Sequence, residues 1–201
     1  MTPMDEDRRF GAEFFARFYG DPVTRVADEA DAQRLAGLIA ALLSYHELPV
    51  RSILDAGCGV GLMRRPLERA FPRARYIGLD ASAYLCRRYG WRRGSIADYA
   101  PRSAFDLVVC HDVLQYLDDR PAGRAVTNLA HLTRGALYLS APTRRDFREA
   151  ADPERSDADV HLRSADWYRG RLRRHFRHLG HGVHLIRHLR PITWQLEEPW
   201  R

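Results

Sequence analysis

The sequence of 201 residues contains no lysine, so its 32 basic residues other than histidine are all arginines. This absence excludes Schiff-base and lysine-nucleophile mechanisms. It also excludes a phosphate-binding loop of the Gly-x-x-x-x-Gly-Lys type, in which the lysine contacts the phosphates. The net charge of +6 is compatible with a phosphate- or carboxylate-rich partner, or with an arginine-rich solvated surface. Because the arginines are spread along the chain and interleaved with acids, we favour the second interpretation.

Cysteines and long apolar runs are scarce as well. Cys58, Cys86 and Cys110 are widely spaced and form no Cys-x-x-Cys pair, so we expect neither a zinc site nor a disulfide framework. No apolar run approaches the ~18 residues that a membrane-spanning helix needs. The first ten residues, MTPMDEDRRF, carry acids where a signal peptide carries positive charge. These absences predict a soluble, cytoplasmic protein with no membrane partner and no bound metal.

The spacing of apolar residues predicts an N-terminal helical region, followed by alternating strands and helices. The predicted helices are Phe10–Tyr19, Val26–Glu47, Leu62–Ala70, Ala81–Tyr89, Pro121–Leu132 and Ala165–Phe176. The predicted strands are Ser52–Asp55, Arg75–Asp80, Gly94–Asp98, Phe105–Cys110 and Ala136–Ala141, and then Val183–Leu189 and Ile192–Glu197. The last two would form an antiparallel hairpin with its turn near Arg190 and Pro191.

This order predicts an α/β fold with a doubly wound, mostly parallel sheet of seven strands, flanked by helices and closed by the C-terminal hairpin. The length suits one domain over residues 1–201. Within it we expect an N-terminal helical cap over residues 1–48. The polar stretch after the fifth predicted strand predicts a lid insertion over residues 143–162, because ligands bind at the carboxyl ends of parallel strands.

The most informative segment is Ile53–Gly61, which reads ILDAGCGVG. A buried strand here runs into three alternating glycines, and a helix follows, so main-chain N–H groups are exposed to a ligand. Asp80 ends the second predicted strand 19 residues after Gly61, where an acid can accept hydrogen bonds from ribose hydroxyls. Asp98 ends the third and could accept from an exocyclic amine. Leu62 stands where the Gly-x-Gly-x-x-Gly dinucleotide fingerprint has its last glycine, so we expect a nucleoside with a charged tail instead.

These segments resemble the class I S-adenosylmethionine-dependent methyltransferases. The resemblance rests on ILDAGCGVG, YIGLD, GSIAD and FDLVVCHDVLQYLDD, and it covers residues 53–141. It implies a methyltransferase that uses S-adenosylmethionine and transfers the methyl group by in-line displacement to a small-molecule acceptor. We expect no nucleic-acid partner, because the Asn/Asp-Pro-Pro-Tyr/Phe signature of base-amine methyltransferases is absent and no appended nucleic-acid-binding module is visible.

The resemblance also implies roles for individual residues around the donor. Gly57 and Gly59 would let the loop pack against the methionine part, and Asp55 would orient that loop and the amino group. Asp80 would hold the ribose hydroxyls. The remaining cofactor-binding residues implied are Asp98 at the adenine amine, Ala97 with Ile96 near the ring, and Cys110 and His111 beside the sulfonium.

His111 is also a candidate general base, if the acceptor is a hydroxyl or a protonated amine. Many methyl transfers need no base, and a backbone contact would make the side chain incidental. Candidates for the acceptor side are Tyr19, Arg25 and Tyr116 in a roof over the site, and Arg144 and His161 in the lid. Ordinary core packing, a solvated helix face and a charged loop without a role are the competing interpretations.

Two further interpretations of the function remain open. The arginines and Trp91-Arg92-Arg93 are compatible with an RNA or protein methyltransferase, and loss of the acceptor site would leave a non-catalytic S-adenosylmethionine-binding protein. The histidines between residues 175 and 188 cross a helix end, a turn and a strand, so we expect their side chains to diverge. The sequence leaves the acceptor atom and the oligomeric state open.

Overall fold

The computed structural model of the protein describes residues 9–191 and residue 194. Its centre is one seven-stranded sheet. The strands are β1 (Ser52–Ala56), β2 (Arg75–Asp80), β3 (Arg92–Arg93), β4 (Phe105–His111), β5 (Thr133–Ser140), β6 (Phe176–Gly180) and β7 (Val183–Ile186). The helices are α1 (Ala12–Phe15, continued by a π-helical turn over Ala16–Gly20), α2 (Glu29–Tyr45), α3 (Arg64–Ala70), α4 (Ala83–Tyr89), α5 (Asp119–Leu132), α6 (Arg144–Ala150) and α7 (Ala165–Leu172).

The strand order is β3-β2-β1-β4-β5-β7-β6, and the first five strands in this order are parallel. β7 is antiparallel to both of its neighbours, β5 and β6. In the centre, Ile53 of β1 lies opposite Tyr76 of β2 and Leu107 of β4. From β1 the chain adds β2 and β3 towards one edge of the sheet, and it then returns to add β4 and β5 on the other side of β1. The switch point between β1 and β4 opens a crevice at the carboxyl ends of the strands.

The two faces of the sheet are covered by different helices. On one face, Leu54, Val108 and Leu137 pack against buried residues of α5 and α7. On the other face, Ile53 and Leu107 pack against α2 and α3. β4 is thus buried on both sides, which explains its continuous apolar sequence. Among the described residues, no helix is both long and apolar enough to cross a membrane.

The third strand differs from the prediction. It comprises Arg92 and Arg93, which pair with Leu79 and Asp80, and not Gly94–Asp98. β2 ends at Asp80, so the pairing has no partner to continue beyond residue 93. Residues 96–98 instead form a turn, in which the Asp98 N–H donates to the Ser95 carbonyl at 3.1 Å.

The position of the C-terminal hairpin was also predicted wrongly. Its strands are β6 and β7, and the turn between them uses Gly180, His181 and Gly182, all with positive φ. Glycine adopts this backbone conformation without a Cβ clash, which lets the chain reverse between β6 and β7. Because β7 pairs with β5 and β6, it does not pair with the predicted strand after Pro191. The predicted helix to Phe176 accordingly ends at Leu172. The predicted strand over residues 192–197 lies outside the described residues except for Trp194.

Candidate functional site

The glycine turn connects β1 to the crevice. The N–H groups of Gly57 and Cys58 both donate to the Leu79 carbonyl of β2, at 2.8 and 3.0 Å. Gly57 has φ of +82°, and a Cβ there would lie 2.4 Å from a methyl carbon of Val113. Gly59 has φ of +54°, and nothing lies within 4 Å of the position its Cβ would take. The turn is therefore packed on one side and open on the other, towards a cavity that both glycines line.

Asp80 lies at the end of β2 and fixes this turn. Its Oδ2 accepts from the Gly59 N–H at 2.8 Å, and its Oδ1 accepts from the Ser82 N–H at 2.9 Å. Burial raises the pKa of the carboxyl, and these backbone N–H groups oppose that rise. Asp80 lines the cavity, and each carboxylate oxygen has a further lone pair with which it can accept a ligand hydroxyl.

Asp55 lies beneath the turn and does not line the cavity. Only 3% of it is exposed, and its Oδ2 accepts from the Tyr76 hydroxyl at 2.6 Å. Burial raises the pKa of the carboxyl to about 7, against the hydrogen bond from Tyr76. Sequence reasoning singled out this acid but missed its partner, because a tyrosine in the next strand carries no spacing signal.

Trp91 is a second residue that the sequence did not identify as part of the site. Its Nε1–H donates to the Gly59 carbonyl at 2.9 Å. A Cβ on Gly61 or on Gly78 would lie 2.7 Å from its ring. The indole therefore holds the glycine turn against β2, a structural role for a residue first noted beside two arginines.

The residues after β3 form the next part of the cavity wall. Ser95 and Ile96 line it. Ala97 is buried in the core, and the Asp98 side chain is 69% exposed, with Arg124 Nε at 3.8 Å from its Oδ1. The structure therefore does not bring the Asp98 carboxylate to the cavity.

The end of β4 brings a histidine and an acid to the same cavity. The Cys110 side chain points into the core, and burial raises the pKa of its thiol. His111 and Asp112 line the cavity, and His111 Nε2 lies 3.5 Å from Asp112 Oδ2. Asp112 has φ of +54°, a left-handed conformation that costs energy in a non-glycine residue and is common at functional sites.

An aromatic roof covers the cavity. It is formed by Phe10, Phe14, Phe15, Tyr19 and Tyr116. Phe10 and Tyr116 meet edge to face with ring centroids 5.2 Å apart, and burial raises the pKa of the Tyr19 and Tyr116 phenols. The cavity volume is about 100 Å³, whereas small-molecule sites usually measure ~300–1,000 Å³. The roof therefore lies close to the floor of the site.

A second cavity, of about 530 Å³, adjoins the first. The ends of β4 and β5 form one side of it, and residues 146–160 form the other. Three residues, Tyr19, Asp112 and Tyr116, line both cavities. Two compartments thus meet at the end of β4.

Three of the residues predicted for the acceptor side line neither cavity. The Arg25 guanidinium lies 3.3 Å from Asp28, and Arg144 Nε donates to the Leu162 carbonyl at 3.1 Å. His161 Nε2 lies 3.2 Å from Asp118 Oδ1. Arg25 and Arg144 are thus held within the cap and the lid, His161 is held by Asp118 ahead of α5, and none of the three lines either cavity.

The C-terminal histidines do not all diverge, contrary to the prediction. His178 and His184 lie opposite each other in the β6–β7 ladder, with ring centroids 4.9 Å apart. Burial lowers the pKa of His184 to about 3. Among the described residues, no group of three or more His, Cys, Asp or Glu side chains could hold a metal ion.

Comparisons with known proteins agree with this geometry. A family model described as a methyltransferase domain matches residues 54–137. Trans-aconitate 2-methyltransferase of Azoarcus sp. strain BH72 is 29% identical over 147 residues, which are 64% of this chain and 58% of that protein. Malonyl-[acyl-carrier protein] O-methyltransferase of Magnetococcus marinus is 32% identical over 131 residues, 58% of this chain and 48% of that protein.

The fold has solved counterparts too. The crystal structure of magnesium protoporphyrin IX methyltransferase from Synechocystis PCC 6803 with bound SAH superimposes with a TM-score of 0.63 at 21% identity, covering 92% of this chain and 98% of that one. The chain spans about half the length of the curated relatives it matches first. The family model, the relatives and the solved structures thus agree with one another: residues 54–137 match a methyltransferase domain, and the fold is similar to that of a methyltransferase solved with bound SAM.

Proposed function

We propose that this chain transfers a methyl group from S-adenosylmethionine to a small-molecule acceptor, with the donor in the first cavity and the acceptor in the second. One observation carries the proposal: the two cavities share Tyr19, Asp112 and Tyr116 at the end of β4. An in-line displacement needs the acceptor atom to approach the methyl carbon directly, and adjoining cavities with common lining residues allow that approach. The relatives named for trans-aconitate and for magnesium-protoporphyrin support a small acceptor.

The residues around the first cavity fit the donor. The open side of Gly59 leaves room for a ligand against the main chain, and Asp80 can accept from ribose hydroxyls. Ser95 and Ile96 offer a surface for the adenine. Since about 100 Å³ is too little for a nucleoside with an amino-acid tail, the aromatic roof has to move outward when the donor binds.

The chemistry divides between the donor and the protein. S-adenosylmethionine supplies a methyl carbon that its positively charged sulfur has already activated. The glycine turn and Asp80 orient it, and the aromatic roof excludes water. His111 can take up the proton that the acceptor releases, and Asp112, 3.5 Å away, stabilises the imidazolium that results.

The alternatives have less support. The second cavity is open and not filled by bulky side chains, which speaks against a purely non-catalytic binding protein. Trp91, part of the Trp91-Arg92-Arg93 segment that is compatible with an RNA or protein methyltransferase, has a structural explanation in its contact with Gly59. A single domain over residues 1–201, with residues 1–48 as cap and residues 143–162 as lid, remains part of the proposal.

Calorimetry with S-adenosylhomocysteine tests the donor site. Asp80→Asn should weaken binding by about 1–3 kcal/mol, because hydrogen bonds to a charged group are lost. Asp98→Asn provides the comparison, and we expect less than about a two-fold change because its carboxylate is exposed. If the unmodified protein does not bind S-adenosylhomocysteine, the proposed function is wrong.

A further inference from the structure

The second cavity has an unusual charge for a protein with 32 arginines. Four carboxylates line it, and its one basic side chain among the described residues is Arg155. Both Nε and Nη2 of Arg155 donate to the Arg25 carbonyl, at 2.9 and 2.8 Å, which ties the guanidinium to the protein itself. The carboxylates are those of Asp112, Asp146, Asp152 and Asp157.

Only part of this negative charge is compensated. Asp157 is 3.2 Å from the Arg9 guanidinium. Asp146 accepts from the N–H and hydroxyl of Thr143, which hold the pKa of its carboxyl below its usual range, so it is ionised at neutral pH. The Asp152 carboxylate accepts only the backbone N–H of Glu154 among the hydrogen bonds described. A negative potential therefore extends through the cavity, and Asp112 carries it to the wall shared with the donor site.

Uncharged groups in the same cavity also favour a ligand that is positively charged and donates hydrogen bonds. Gln115 is 5% exposed, and its Oε1 has no hydrogen-bond partner among the described residues. A buried acceptor without a donor is destabilising, and a ligand that donates hydrogen bonds would remove that cost. Tyr19, Tyr116 and Phe147 also line the cavity, and aromatic faces attract cations.

We propose that the acceptor is an amine-bearing small molecule, cationic at neutral pH, and that its nitrogen is the atom methylated. This inference rests on the proposed function and specifies its substrate. A carboxylate acceptor, as in the relatives named for trans-aconitate, would face like charges in this cavity. An ammonium group would face Asp112, Asp152 and the rings.

The transfer step balances with the groups at the shared wall. The ammonium nitrogen first gives one proton to His111, whose imidazolium is then stabilised by Asp112. The freed lone pair forms the new nitrogen–carbon bond as the carbon–sulfur bond breaks, and that electron pair stays on sulfur. The products are an N-methylammonium ion, the neutral thioether and the proton, which passes to water.

Two probes of the same shape and opposite charge test the proposal. Phenethylamine and hydrocinnamate are titrated by calorimetry into the full chain saturated with S-adenosylhomocysteine. We expect the amine to bind at least about ten-fold more tightly, because only the acid meets like charge. Equal affinities, tighter binding of hydrocinnamate, or no binding of phenethylamine would overturn the inference. Since donor binding is measured first and separately, such a result would leave the proposed function standing.

Two variants and a control locate the effect. Asp112→Asn keeps a residue that tolerates the left-handed conformation, and Asp152→Asn changes a side chain away from the donor. Both should reduce the amine-to-acid affinity ratio several-fold. Asp166→Asn removes the same charge from α7, outside both cavities, and should leave the ratio unchanged. If neither cavity variant changes the ratio, the carboxylates do not select the acceptor.

Discussion

Gly57 and Gly59 share a left-handed backbone but differ in their surroundings. Alanine at Gly57 would clash with Val113, and we expect a loss of roughly 1–3 kcal/mol in the free energy of unfolding. Alanine at Gly59 would meet no atom and would point into the space proposed for the donor. It should therefore cost only the backbone strain that both variants share, about 1–2 kcal/mol, yet abolish most S-adenosylhomocysteine binding. Urea unfolding and calorimetry on both variants measure the two effects.

The Val113 contact supplies a control for this pair. Val113→Ala removes the methyl groups that the new Cβ would meet, so it should restore part of the stability of Gly57→Ala and none of the binding of Gly59→Ala. If the two glycine variants lost stability and S-adenosylhomocysteine binding to the same extent, the turn would not be packed at Gly57 and open at Gly59.

Asp55 makes the stability of the ligand-free protein depend on pH. Its pKa is about 7 in the folded chain, whereas an exposed aspartate titrates near ~4. The folded state therefore binds more protons than the unfolded state between these values, and the free energy of unfolding falls as the pH rises through that window. Asp55→Asn removes the titration. Urea unfolding should show that the wild type loses more stability than the variant between pH ~5 and pH ~8. If both proteins lost the same free energy of unfolding, Asp55 would not have the raised pKa of a buried carboxyl.

At the scale of elements, strands with local signals were predictable and strands defined by distant partners were not. β2 has the predicted bounds, and β1 and β4 extend one residue beyond theirs, because apolar runs mark them directly. β3 exists only because Arg92 and Arg93 reach Leu79 and Asp80, a pairing without a sequence signal.

The candidate site likewise contains residues that local spacing predicted and residues that only tertiary contacts bring to it. Gly57, Gly59 and Asp80 come together as their spacing predicted, because the ends of parallel strands meet at one edge. Trp91 and Tyr76 are held to the turn by tertiary contacts that no spacing rule contains. The charge of the second cavity was likewise hidden, because Asp112 follows β4 whereas the other three acids lie in residues 146–157, far away in the sequence.

The aromatic roof should control how fast a ligand enters and leaves the first cavity. Phe14 lines the first cavity, proposed for the donor, and contacts the rings of Phe10, Phe18 and Tyr116. Phe14→Ala would open the roof, so association and dissociation of S-adenosylhomocysteine should both become several-fold faster. Stopped-flow fluorescence measures these rates. Val23→Ala, an exposed position in the following loop, is the control and should change neither. Unaltered rates in Phe14→Ala would mean that the roof does not gate the site.

At the scale of the whole molecule, two segments far apart in sequence form one cover over both cavities. Arg9 pairs with Asp157 and contacts Asp159, and Arg155 donates two hydrogen bonds to the Arg25 carbonyl. The N-terminal segment and the lid are therefore tied to each other in addition to the sheet. Such a connection predicts that they open as one unit, exposing donor and acceptor sites together.

Hydrogen exchange tests that coupling. Arg155→Met removes both hydrogen bonds to Arg25, so the Arg25 and Val26 amides, which donate to Asp21 and Phe18, should exchange faster, along with the amides of α6. Arg148→Met is the matched control, because Arg148 lies in the same lid and pairs only with the neighbouring Glu149 in the described contacts. If faster exchange stays confined to residues 143–162, cap and lid move independently. If it spreads to residues 16–28, one motion admits both the donor and the acceptor, and the two cavities are closed to water at the same moment.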